Sequence, residues 1–154
     1  MRQETQFSIF LVNKPGVLAS ITTALAKARI DLVALTLVDS VEHGVMRIVT
    51  DNPQATREVL SRTHDRWTES PVLMMDLANR PGAFAKVAQK LADAHINIGY
   101  AYCTGGAAGG KTVAVFKVAD VKKTMKLFPK ETARAKAKKR TGTVRASRGR
   151  GPKR

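Results

Sequence analysis

The sequence predicts an α+β protein made of two small βαββαβ units, each an antiparallel sheet with two helices on one face. Two observations carry the prediction. The first is a repeat. Residues 13–35 read NKPGVLASITTALAKARIDLVAL and residues 79–101 read NRPGAFAKVAQKLADAHINIGYA, 66 residues apart with no gap. Eight of these 23 positions are identical: Asn13/Asn79, Pro15/Pro81, Gly16/Gly82, Ala19/Ala85, Leu25/Leu91, Ala26/Ala92, Ala28/Ala94 and Ile30/Ile96. The second is that each copy sits in the same succession of patterns: an apolar strand, an amphipathic helix, two strand-like runs and another helix. A chain of 154 residues holds two such units of about 60 residues each. Units of that size are marginal alone, so they should pack on each other or on another subunit.

Phe7–Val12 opens the first unit as a strand, with Phe7, Ile9 and Leu11 on one side. Val72–Leu77 is its counterpart, with Leu73, Met75 and Leu77 on the equivalent face and Asp76 on the other. The two N-x-P-G turns follow. A proline at a helix start gives up no needed N–H, which suits Pro15 and Pro81. Leu18, Ile21, Leu25 and Ala28 form one helical stripe, and Phe84, Val87, Leu91 and Ala94 form the other. Abundant alanine favours both helices.

Asp31–Val38 and Asn97–Thr104 then read as second strands, and Val45–Thr50 and Thr112–Val118 as third strands. DSVEHG and TGGAAGGK join them as hairpins. Asn52 and Asp120 stand where N-caps belong, ahead of helices of about eight residues that run through Leu60 and Phe128. Arg66–Ser70 supplies a fourth strand to the first unit. The second unit has no clear fourth strand, because Pro129 and a basic run follow at once. The expected boundaries are 6–69 for the first unit, 70–129 for the second and 130–154 for a basic, disordered tail.

Charge is concentrated in that tail. Residues 130–154 carry eleven Lys/Arg and one acid, a net of +10, whereas residues 1–129 carry a net of +5. The tail lacks aliphatic periodicity, which predicts disorder in isolation. Its functional reading is nonspecific attraction to nucleic acid through Arg148, Arg150, Lys153 and Arg154. Arg148-Gly149-Arg150 is similar to the core of minor-groove A·T binders, although Pro152 lies one place later than the usual flank. A solubilising extension is the alternative.

Strand, N-x-P-G, helix, LAxAxIx[IL], strand, strand, helix: this order resembles the ACT domain, a regulatory module of ferredoxin-like fold that binds amino acids. The tandem arrangement is similar to the stand-alone two-ACT proteins of bacteria. The resemblance covers roughly residues 6–129 and implies a ligand site at the turn that opens the first helix of each unit. The physics of such a turn is readable by itself. A helix start exposes unpaired N–H groups and partial positive charge, which favour a carboxylate. Glycine allows close approach, and an asparagine amide offers both donor and acceptor. A turn of this kind also starts a helix with no ligand at all.

In serine-binding members of the family, the asparagine of N-x-P-G and a second asparagine eighteen residues later hold the ligand. Asn79 and Asn97 match that spacing; Asn13 and Asp31 depart from it. The resemblance therefore implies a ligand set of Asn79, Arg80, Gly82, Ala83, Phe84, Asn97 and Ile98. The first copy's set is Asn13, Lys14, Gly16, Val17, Leu18, Asp31 and Leu32, altered or lost in function. Family members often have glycine at the positions of Arg29 and His95, where a left-handed residue closes the helix. A side chain there costs about 1 kcal/mol.

Other patterns are set aside. Residues 105–112, GGAAGGKT, match a phosphate-loop spacing, but a strand follows Lys111 where that motif needs a helix. The third strands, VMRIVT and TVAVFKV, lack the aromatic platform of RNA-binding sheets. His43, His64 and His95 have no metal spacing. Cys103 is the single cysteine and reads as a buried structural thiol; Tyr100 and Tyr102 share a strand face and suit the surface between the units or its core. The amino terminus lacks a signal-peptide core, and no run suggests a membrane span. The expectation is a cytoplasmic, non-enzymatic protein without cofactor or metal. It would bind an amino acid or similar small zwitterion at interfaces between ACT units of a homodimer. The alternative is a nucleic-acid-associated protein with the body as dimerisation scaffold.

Overall fold

The computed structural model describes residues 1–38, 43–64, 66–105 and 110–128. Among these residues the chain forms β1 (Arg2–Val12), α1 (Val17–Lys27), β2 (Leu32–Val38), β3 (His43–Thr50), α2 (Pro53–Thr63), β4 (Trp67–Ala78), α3 (Ala83–Asp93), β5 (Ile98–Cys103), β6 (Lys111–Val118) and α4 (Val121–Leu127). The strands make one antiparallel sheet in the order β2-β3-β1-β4-β6-β5. The tail expectation lies outside the described residues, as do most of the two hairpin loops.

The missing fourth strand of the second unit has a physical answer. In a βαββαβ unit the fourth strand lies beside the first. The second unit's first strand is the end of β4, and its other neighbour is the beginning of β1: Arg2 faces Met74, Gln3 faces Leu73 and Glu4 faces Val72. The beginning of β4, from Trp67, serves the first unit in the same way. Each long strand therefore belongs to both units, and the expected boundary between 69 and 70 falls inside continuous β4. Thr5 pairs with Pro71, its own counterpart in the 66-residue repeat. The ladder is thus symmetric about that pair, a pseudo-two-fold axis between the units. Pro71 is tolerated where β4 has a strand on one side only, since pairing with β6 begins at Leu73.

Alternation places Phe7, Ile9, Leu11, Met46 and Ile48 under α1 and α2, packed on Ile21, Leu25 and Leu60. Leu73, Met75, Leu77, Ala114 and Phe116 lie under α3 with Val87 and Leu91, and Met1 closes that core. Both helix pairs cover the same side of the sheet. The first stripes differ from expectation at one end: Leu18 and Phe84 are more than a third exposed. Each sits at a pocket mouth rather than in the core.

The helix-free side is buried as well. Ala34, Val49, Val72, Met74 and Val115 form a third cluster there, joined by Tyr102. Three strands separate β3 from β5, about 19 Å in a flat sheet. Yet the Arg47 guanidinium lies 4.5 Å from the centre of the Tyr100 ring. The sheet is therefore coiled, with β5 folded over the face of the first unit. Gln6, fully buried, donates to Tyr100 Oη at 2.5 Å and accepts from Tyr102 Oη at 3.1 Å. Tyr100 and Tyr102 line the seam between the units.

Local chemistry repeats too. Asn52 Oδ1 accepts from Ala55 N–H and Asp120 Oδ1 from Lys123 N–H, so both expected caps form. Thr56 and Thr124 back-bond to the cap carbonyls. These equivalents are 68 apart, because the second hairpin is two residues longer. α2 runs three residues beyond Leu60, whereas α4 ends one short of Phe128. Arg29 and His95 adopt φ of 56° and 53°, the left-handed closure anticipated for them. Ile30 N–H then reaches Leu25 O, and Ile96 N–H reaches Leu91 O.

Candidate functional site

The starts of α1 and α3 differ from those of α2 and α4. Neither has a side-chain cap. Gly16 and Gly82 precede them with φ of 88° and 79°, a left-handed geometry that requires glycine. A Cβ at either would meet nothing within 4 Å, so conformation rather than space is the constraint. Val17 N–H bonds to Lys14 O at 3.4 Å, and Ala83 N–H to Arg80 O at 3.3 Å. The next two N–H groups of each helix, those of Leu18 and Ala19 and of Phe84 and Ala85, have no side-chain cap, and partial positive charge collects there.

A pocket opens at each turn. In the first unit it encloses about 300 Å³ and is lined by Leu11, Val12, Asn13, Lys14, Val17, Leu18, Leu37, Val38 and Gly44. In the second it encloses about 390 Å³ and is lined by Leu77, Ala78, Asn79, Arg80, Ala83, Phe84, Cys103, Thr104, Gly105 and Thr112. These sizes fall at the lower end of ligand sites, which run to about 1,000 Å³. The two pockets are one pocket built twice. Eight of the first pocket's nine residues map onto the second at a spacing of 66, and Gly44 maps onto Thr112 at 68, past the longer hairpin.

The structure brings Asn79, Arg80, Ala83 and Phe84 together, and likewise Asn13, Lys14, Val17 and Leu18. Gly82 and Gly16 shape the turns without lining the pockets. Asn97, Ile98, Asp31 and Leu32 lie elsewhere. They follow the helices, so eleven residues of α3, about 16 Å, separate Asn79 from Asn97. Within one chain the amide pair does not share a pocket. Asn97 instead accepts from Ala119 N–H through its carbonyl, and Asp31 from Asp51 N–H.

Sequence reasoning missed the floor: Leu37, Val38 and Gly44 in one unit, Cys103, Thr104 and Thr112 in the other. No local pattern marks them; only the strand order brings the end of the second strand against the turn. Cys103 corrects the expectation of a buried thiol, because it is exposed at a strand end that opens into the pocket. Partial desolvation still raises its pKa, which keeps the thiol protonated at neutral pH. Thr112 Oγ1 donates to Thr104 O, and Thr104 Oγ1 accepts from Val113 N–H at 3.2 Å. Phe84 stacks on Phe116 with ring centres 5.2 Å apart and forms the apolar wall.

Other sequence motifs find ordinary places. Lys111 begins β6, and no helix starts there. Among the described residues, no group of three or more His, Cys, Asp or Glu is placed to hold a metal ion. No helix is long and apolar enough to cross a membrane.

A family profile described as an ACT domain pair matches residues 3–137. The crystal structure of protein BT0572 from Bacteroides thetaiotaomicron is similar at a TM-score of 0.77 and 28% identity, covering 84% of this chain and 89% of that one. The ligand-free regulatory subunit of aspartate kinase from Thermus thermophilus shares the fold at 0.60 and 15% identity, covering 82% and 91%. Aspartokinase alpha and beta subunits share it at 0.57 and 19%, covering 85% and 93%. A search of curated proteins finds no match.

Proposed function

Because the chain belongs to the ACT domain pair family, we propose that it is a non-enzymatic regulatory protein whose N-x-P-G pockets bind an amino acid or a similar small zwitterion. The observation that carries this is selective capping. The two helices without side-chain caps are the two that open into matched pockets, and the other two are closed by Asn52 and Asp120. A carboxylate at Phe84 N–H or Leu18 N–H would satisfy the helix start and its dipole. Arg80 or Lys14 adds positive charge, and Asn79 or Asn13 addresses the polar end.

The distant Asn97 and Asp31 fit this reading through a homodimer. They immediately precede β5 and β2, the two edge strands of the sheet. An antiparallel edge-to-edge pairing with another copy sends the start of one strand to the end of its partner. That would carry Asn97 or Asp31 to a pocket mouth. Leu35, Leu37 and Val38 on β2 are 40–48% exposed, which favours covering that edge. Coupling arises if the ligand prefers one packing of the units.

Isothermal titration of the full chain against the twenty amino acids tests the proposal. Heat and a raised melting temperature are expected with at least one. Silence with all twenty refutes it.

A second reading rests on the +10 charge of residues 130–154: the tail holds nucleic acid while the body dimerises. Full-length protein should then be retained by duplex DNA at low salt and released as salt rises, and a chain ending at Pro129 should not be retained. Equal behaviour of the two chains rejects it.

A further inference from the structure

We infer that the two pockets read different side chains, a small polar one in the second unit and a branched aliphatic one in the first. This rests on the amino-acid reading of both pockets and adds what distinguishes their ligands.

The residue-by-residue match separates a constant part from a variable part. The constant part is the asparagine, a cation, the left-handed glycine and the uncapped helix start. It is the same in both units and addresses the α-carboxylate and α-amino groups that every amino acid carries. The variable part is the floor where β2 or β5 ends and β3 or β6 begins. Leu37, Val38 and Gly44 in the first unit correspond to Cys103, Thr104 and Thr112 in the second.

Among the described residues, the first unit's floor carries no hydroxyl or thiol. Leu37 is 48% exposed and Leu18 is 37% exposed, an open apolar surface at the cavity. A branched aliphatic side chain seated there removes that surface from water. A hydroxyl or amide group would lose water and find no hydroxyl or thiol side chain there to pair with. At Gly44 a Cβ would approach Val38 O to 3.4 Å, and its equivalent Thr112 makes the corresponding contact with Thr104 O through its hydroxyl. The floors are therefore alike in shape and differ in the Cys103 and Thr112 side chains that stand where the first unit has Leu37 and Gly44.

In the second unit the Thr112 hydroxyl gives its proton to Thr104 O, so its oxygen remains an acceptor for a ligand N–H or O–H. The exposed Cys103 lines the same pocket. An aliphatic side chain would cover these groups without satisfying them, whereas a hydroxyl or carboxamide pairs with them. Discrimination of this kind is worth about tenfold or more.

Titration calorimetry on the full chain tests this with single amino acids as probes. Wild type should bind one hydroxyl or amide amino acid and one branched aliphatic amino acid, neither competing with the other. Asn79→Ala should remove the first and Asn13→Ala the second. The exchange C103L/T104V should weaken the polar ligand at least tenfold and create a second aliphatic site. The reverse exchange L37C/V38T, at half-exposed positions, should weaken the aliphatic ligand. Competition of the two classes for one site, or preferences unmoved by both exchanges, overturns the inference while leaving amino-acid binding intact. No heat from any amino acid with wild type instead overturns the underlying reading and this inference with it.

Discussion

Tyr102 shows how a single residue couples the units. Its hydroxyl donates to the buried Gln6 amide on the other unit's strand. Burial chiefly raises its pKa above the ordinary 10.0, the nearby Tyr100 hydroxyl adds to this, and the Arg47 charge opposes it. In the folded chain the proton is held more tightly than in the unfolded chain. The associated stability is therefore fully present below about pH 10 and lost as pH rises above it. Melting temperatures between pH 8 and 11 should fall above pH 10, and less steeply in Tyr102→Phe; parallel curves would discount this role. Arg47 is the cost side of the same seam, since its Nε is enclosed with no hydrogen-bond partner. Stacking of its guanidinium on Tyr100 offsets part of that. At this scale the sequence told the pocket asparagines, the left-handed Arg29 and His95 and both caps. It misjudged Cys103, because exposure at a strand end depends on what the neighbouring turn leaves open.

The long strands are where element-level reading stopped short. Phe7–Val12 announces itself by alternating apolar residues, but RQETQ before it does not. Those residues become strand because β4 offers its free edge to Arg2, Gln3, Glu4 and Thr5. Met1 then fills the core under α3. Deleting residues 1–5 should cost about 3 kcal/mol or more, combining a buried Met with lost ladder bonds. The damage should fall on the second unit, far along the chain. Hydrogen exchange should show amides of β4 and β6 losing protection while those of β3 keep theirs. Unchanged protection in β6 would rule out the shared-strand account.

The whole molecule is one coiled sheet with helices on one side, although its sequence reads as two successive units packed together. By itself the sequence determined the element order, the antiparallel units, the two N-x-P-G turns and the caps. Each depends on local pattern: alternation, helical stripes, proline and glycine at turns, and a cap residue ahead of a helix. Tertiary structure alone decided that the units exchange strand ends, that Gln6 and Arg47 meet Tyr100 and Tyr102, and that Asn79 and Asn97 stand apart. It also decided that the pocket floors are Leu37/Val38 and Cys103/Thr104. The physical reason is common to all four. Each depends on residues far apart in the chain, brought together by strand order and sheet coiling, and neither leaves a periodic signature in the sequence.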